Sequence, residues 1–259
     1  MTGKKQPVLI AVAGKGGTGK TTICGMIVRY LAANGKRVLA VDADPNSNLN
    51  EVLGVEIATT LGNIRETMVG REKSGEPVPA GMTKQEYAEF MMGDALTEED
   101  DYDLLVMGRT QGAGCYCYVN GVLKTQIDRY SGAYDYIVVD NEAGLEHISR
   151  GTLPHIDLLL LVSDCSRRGI QAVGRVSRMV IDLNLRPGMT GLIVNRAPSG
   201  VLDPGIAQEI EREELSLIGV LPQDENVYKY DTSGMPSADV PENSAVKTAL
   251  RGILSSLEL

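Results

Sequence analysis

The chain has 259 residues, 43% hydrophobic and 23% charged, and its 25 basic and 34 acidic side chains give a formal charge of −9 at pH 7. At this length one domain over residues 1–259 is expected, with a core of Val, Ile, Leu, Ala and Met because there is no Trp and a single Phe, Phe90. The acidic balance argues against a nucleic-acid partner: no basic run exceeds Lys4-Lys5 or Arg167-Arg168, and a duplex binder needs cations on phosphates.

The apolar run after Pro7 enters glycine too soon for a signal peptide and reads as a first buried strand, Val8 to Ala13. Further strands are expected over Arg37 to Asp42, Leu104 to Gly108, Tyr136 to Asp140, Leu158 to Ser163, Thr190 to Asn195 and Leu217 to Leu221. Helical spacing marks Thr21 to Ala33, Gly169 to Leu183 and Ser244 to Leu257. The alternation predicts an α/β fold, a doubly wound, mostly parallel sheet with helices on both faces. Residues 65–103 break the rhythm. Arg71 to Pro79 is polar and turn-rich and Glu98 to Asp103 is an acidic run, so the segment reads as a surface insertion with a solvated acidic loop. The longest later apolar run, Leu158 to Val162, is far short of the roughly 20 residues that span a bilayer, and a soluble cytoplasmic protein without a membrane partner is expected.

Between the first strand and the first helix stands Gly14-Lys15-Gly16-Gly17-Thr18-Gly19-Lys20-Thr21-Thr22, a complete G-x-x-x-x-G-K-[ST] in its confirming context. The backbone N–H groups of Gly16, Gly17, Thr18 and Gly19 can turn inward around phosphates, with the positive end of the helix behind them. Lys20 would neutralise the β- and γ-phosphates of a nucleotide, and the Thr21 hydroxyl would ligate Mg²⁺.

The added Lys15 makes the loop K-G-G-T-G-K-T-T, which resembles the deviant Walker A motif of the MinD/ParA-like ATPases. The resemblance implies an ATP-hydrolysing homodimer in which Lys15 reaches the partner's nucleotide. It also implies roles at three strand ends. Asp42-Ala43-Asp44 resembles switch I, with Asp44 orienting the attacking water and Asp42 in the outer shell of the metal. Asp140-Asn141-Glu142-Ala143-Gly144 resembles switch II, with Asp140 on the Mg²⁺ side and Gly144 as hinge. Asn195-Arg196 and the loop at Pro222 resemble the two sides of an adenine site; Asn195 reads alternatively as a strand-end turn residue.

Cys115 and Cys117 follow the third expected strand. Two thiolates one residue apart cannot complete a four-coordinate site, but duplicated across a twofold axis they make an S₄ site suited to Zn²⁺ or Ni²⁺. The alternative is two small hydrophobes or a redox pair. The deviant Walker A, the pair, and the segment Glu142 to Arg150 together resemble the CooC/AcsF-type accessory ATPases, from Val8 to about Pro222. That resemblance implies a metallochaperone that uses ATP hydrolysis in a dimerisation cycle to insert nickel into carbon monoxide dehydrogenase or acetyl-CoA synthase. Some members end in a histidine-rich tail, and none is expected here, where His147 and His155 are the only histidines of the 259 residues. Cys24 lies at core spacing, Cys165 reads as structural, and His147 reads equally as a metal contact or a switch hydrogen bond. Two other functions compete: a ParA/MinD-like positioning ATPase, and an iron-sulfur electron-donor ATPase. The electron-donor class places its cysteines on separate loops, and the last helix carries few cations for a membrane surface.

Overall fold

The computed structural model describes residues 6–79, 81–109, 115–142, 153 and 155–259, without the side chains of residues 84, 85, 88, 89 and 115–119. Its strands are β1 (Val8–Gly14), β2 (Val38–Asp42), β3 (Leu96–Glu98), β4 (Tyr102–Val106), β5 (Tyr136–Asp140), β6 (Leu158–Asp164), β7 (Met189–Ala197) and β8 (Leu217–Pro222). They form one eight-stranded sheet in the order β3-β4-β2-β5-β1-β6-β7-β8. Every pairing is parallel except β3 with β4.

The helices described are α1 (Lys20–Ala33), α2 (Leu49–Leu53), α3 (Leu61–Ser74), α4 (Lys84–Gly93), α5 (Cys115–Tyr130), α6 (Arg167–Asp182), α7 (Pro204–Arg212), α8 (Glu225–Thr232) and α9 (Ala245–Ser256). Strand alternation sorts them onto two faces. Leu9, Ala11 and Ala13 of β1 join a core with α3, α5, α6 and α7, whereas Ile10 and Val12 join a second core with α1, α2 and α9. Both cores are mostly aliphatic, with one buried tyrosine each, Tyr134 and Tyr102, and a fully buried side chain such as Ile27 or Leu31 contributes about 1.5–3 kcal/mol. Phe90 lies outside them at 58% exposure.

From β1 the chain winds to one side of the sheet through β2, β4 and β5, then crosses to β6 on the other side. The carboxyl end of β1 is therefore the point where winding reverses, the place where open α/β sheets leave a crevice for ligands. Gly14, Asp42, Asp140 and the Asn195 end of β7 all open onto it.

The expected doubly wound sheet is present, and its departures from the sequence reading are local. The third expected strand, Leu104 to Gly108, begins two residues earlier at Tyr102 and ends at Val106. Strand β3 was not expected: three polar-flanked residues carry no periodicity, and it exists only by antiparallel pairing with β4. The acidic run is consequently a hairpin rather than a loop, with Glu98 in β3, Asp103 in β4 and only Glu99, Asp100 and Asp101 between them. Asp103 accepts a hydrogen bond from the Tyr134 hydroxyl, and Arg29 lies 5.1 Å from the centre of the Tyr102 ring, which hides strand character behind charge. The turn-rich stretch after Arg71 belongs partly to α3, which Thr60 caps by accepting from Asn63 N at 3.1 Å. Helix α4 follows with a complete Thr83–Glu86 capping box. In α5 the buried Asn120 and Gln126 interrupt the apolar stripe of Leu123 and Ile127, so its helical period was masked.

Candidate nucleotide site

The loop after β1 turns tightly enough to spend its own polar groups inward. The Lys15 carbonyl accepts from Thr18 Oγ1 at 2.9 Å and from Lys20 Nζ at 3.2 Å. Gly19 is the N-cap of α1 at φ 89°, a left-handed backbone suited to glycine. Lys20 is only 7% exposed, and burial pulls its ammonium below the ordinary lysine value against the opposing pull of Asp140, Asp44 and Glu142. Lys15 is exposed.

Three aspartates gather at two strand ends: Asp140 closes β5 and Asp44 follows β2, both acting on this lysine, and Asp42 at the end of β2 lies within the field of both. Asp42 is fully buried; burial and Asp140 push it up to about 7, although its Oδ1 accepts from Asp44 N at 3.0 Å and its Oδ2 from Leu49 N at 2.9 Å. Each oxygen thus holds one end of the loop between β2 and α2. Asp140 is 1% exposed and burial raises it to about 6, while the Thr21 hydroxyl and Lys20 pull it back. Asp44 Oδ1 accepts from both Asn46 N at 2.8 Å and Asn46 Nδ2 at 3.0 Å.

Magnesium chemistry fits this set. Oδ1 of Asp140 is buried without a hydrogen-bond partner beside Thr21, a hard oxygen pair in the field of Lys20. Thr21 and Asp140 would hold the ion, which when bound neutralises phosphate charge.

Two adjoining cavities complete the crevice. The larger, about 890 Å³, runs along Gly16, Lys20, Thr21, Asp44 and Glu142. The smaller, about 340 Å³, lies between Thr22, Asn195, Arg196, Pro222 and Tyr228. Gly19, Thr22, Arg196, Asp231 and Ser237 line both. Asn195 and Arg196 do more than border it: Asn195 Nδ2 donates to Thr18 O at 2.9 Å and Arg196 Nη1 to Gly17 O at 3.0 Å, which fastens the end of β7 to the phosphate loop. Asn195 Oδ1 accepts from Arg196 N at 2.9 Å, so its amide is occupied on both sides.

The structure therefore brings Lys20, Thr21, Asp42, Asp44 and Asp140 together, with Gly16, Gly17, Thr18, Gly19 and Thr22 around them and Asn195, Arg196 and Pro222 alongside. The sequence reading missed Tyr228, Asp231 and Ser237. No motif marks them, since they reach the crevice only through the path of the chain after β8. Helix α5 begins at Cys115 at the same end of the sheet; the side chains of Cys115 and Cys117, with Gly144 and His147, lie outside the described residues. Cys24 is buried in the core on α1, and Cys165 is half-buried against the other core with its thiol pushed up by burial and by Asp164. Among the described residues no three His, Cys, Asp or Glu side chains form a metal-holding group, and no helix is long and apolar enough to cross a membrane.

Residues 9–237 match the CobQ/CobB/MinD/ParA nucleotide binding domain family, and the chain belongs to it. It is a P-loop ATPase of MinD-like fold. It is 39% identical to an uncharacterized ATP-binding protein of Methanocaldococcus jannaschii, over 92% of this chain and 94% of that one. It is 31% identical to the carbon monoxide dehydrogenase accessory protein CooC of Rhodospirillum rubrum, over 89% of each chain. Among solved structures, the septum site-determining protein MinD of Pyrococcus horikoshii, complexed with Mg-ADP, superposes with a TM-score of 0.71 at 21% identity, covering 97% of this chain and 96% of that one.

Proposed function

We propose that this ATPase is a nickel chaperone whose ATP cycle loads and releases one metal ion between two copies of the chain. The observation that carries the reading is the similarity to CooC along nearly the whole length, joined to a Cys-x-Cys that opens α5 at the end of the sheet where the phosphate loop lies. In this reading residues 1–259 act as one ATPase domain. Lys20 and the loop glycines hold the triphosphate, Thr21 and Asp140 hold magnesium with Asp42 behind them, and Asp44 orients the attacking water. Asn195, Arg196 and Pro222 border the base. The exposed Lys15 reaches the partner copy's nucleotide, an electrostatic role like that of an arginine finger. Closure brings Cys115 and Cys117 of both copies around the cargo, Ni²⁺ or in its stead Zn²⁺, and hydrolysis delivers it to carbon monoxide dehydrogenase or acetyl-CoA synthase. Residues 65–103 are the surface offered to that client.

An anaerobic Ni²⁺ titration with and without ATP tests this, following thiolate-to-metal absorption and oligomeric state. The expected result is about one nickel ion per dimer, tighter with ATP, and lost in the Cys115→Ser, Cys117→Ser double variant. Nickel binding that survives the double variant, or none in the wild type, overturns the reading and leaves a positioning ATPase of the MinD/ParA kind.

A further inference from the structure

Asp44 is not held by its own loop alone. Its carboxylate accepts from the Asn46 side-chain amide, Nδ2 to Oδ1 at 3.0 Å, and Asn46 Oδ1 in turn accepts from Arg109 Nη2 at 2.5 Å. An amide has one donating end and one accepting end. With Nδ2 toward Asp44, Oδ1 must face away, and the guanidinium stands where it faces. An amide rotated by half a turn would set Oδ1 against the Asp44 carboxylate and Nδ2 against the guanidinium, two like-signed contacts. Arg109 therefore selects the one orientation of Asn46 that supports Asp44.

The backbone beneath Arg109 is fixed independently of that contact. Met107 N donates to Asp42 O at 2.9 Å, and Met107 O accepts from Gly62 N at 2.8 Å in the first turn of α3. Gly108 takes φ 70° with Thr60 directly against it, where a Cβ would lie 2.3 Å from Thr60 Oγ1. The turn after β4 is thus wedged between the switch-like loop of Asp42 and Asp44 on one side and the cap of α3 on the other. An arginine on a pinned backbone is a defined lever, whereas one on a mobile loop is not.

We infer that Arg109 is a positioning residue for ATP hydrolysis, acting through Asn46 on the Asp44 carboxylate. This rests on the reading of Asp44 as the group that orients the attacking water. Arg109 touches no reacting atom. Its effect is to keep the carboxylate of Asp44 in one place inside the larger cavity beside Lys20 and Thr21, so its loss lowers turnover and leaves nucleotide binding alone.

The test is steady-state ATP hydrolysis by the full chain carrying Arg109→Ala, Arg109→Lys, Asn46→Ala, the Arg109→Ala/Asn46→Ala double variant and Asp44→Asn. Arg109 and Asn46 are exposed and Asp44 is half-buried, and thermal unfolding checks that each variant folds. Arg109→Ala is expected to lower kcat by about tenfold with KM within about twofold, and Arg109→Lys, which retains a cationic donor, to recover most of it. The double variant should lose no more than Asn46→Ala alone, because the two residues act in series. Unchanged kcat in Arg109→Ala, a change confined to KM, or losses that multiply in the double variant overturn the inference. Asp44→Asn separates the two failures. If it abolishes turnover while Arg109→Ala leaves kcat unchanged, the inference alone falls; if Asp44→Asn retains turnover, the reading of Asp44 falls and takes the inference with it.

Discussion

Two regions of this chain use charge in opposite ways. At the carboxyl ends of β1, β2 and β5, Lys20, Asp42 and Asp140 are 7%, 0% and 1% exposed, and burial moves all three toward their neutral forms. In residues 65–103, eleven acidic and four basic side chains carry a net −7 of the chain's −9, and Glu98 to Asp101 stand in water. Dehydrated charges at the first site are held in place by backbone N–H groups and by one another, so they are ready for the phosphates and cation of a nucleotide. The outer charges remain hydrated and contribute little to stability. They give one edge of the molecule a field of a single sign, which acts on what approaches it. A rigid chemical site and an acidic approach surface are thus built from the same residue types, separated by burial alone.

The comparison is broken most severely at the rigid site. Gly19→Ala is expected to weaken ATP binding at least about tenfold: the left-handed φ costs about 1–3 kcal/mol, and the new Cβ would lie 2.5 Å from Asn195 Nδ2. Calorimetric titration with ATP checks it, and wild-type affinity would show that the loop can relax. A smaller effect is expected from Thr83→Ala in the outer region, where losing the cap costs α4 about 1 kcal/mol, read as faster amide exchange in that helix. This effect depends on pH. The Thr83 backbone N–H and hydroxyl hold the Glu86 carboxyl below its ordinary value, so its part of the stabilisation is full above that ordinary value and is lost as pH falls through the depressed one. Wild type and Thr83→Ala should therefore converge partly in acid; a gap constant with pH would show that the Thr83 hydroxyl has no part in holding Glu86. The least effect belongs to Phe90→Ser, with stability within about 0.5 kcal/mol and ATP turnover unchanged, measured by thermal unfolding and phosphate release. A large loss there would mean that Phe90 is covered in solution.

The two regions were also unequally legible. Around the phosphate loop, strand, glycines, lysine and helix are contiguous, so their spacing alone carries the motif, and Asp42 and Asp140 were legible because each ends an apolar strand. In residues 65–103 the deciding contacts are distant or polar: β3 has only β4 to define it, Asp103 is sheathed by Tyr134, and α3 shows few apolar positions. Asn195 was read as a contact to a base, and the structure adds a second task, since its amide ties β7 to a loop 177 residues earlier.

What the sequence by itself determined is the class of the protein: the phosphate loop, the acidic strand ends and the alternation of buried strands with helices, all written in short windows where side-chain chemistry and backbone period coincide. What only the tertiary structure decided is which of those windows meet. The strand order brings Arg109 to Asn46 across 63 residues, and sets Asn195 beneath Thr18. Such contacts depend on how the sheet winds about β1, and the chain stores that winding in the packing of two aliphatic cores rather than in any local pattern.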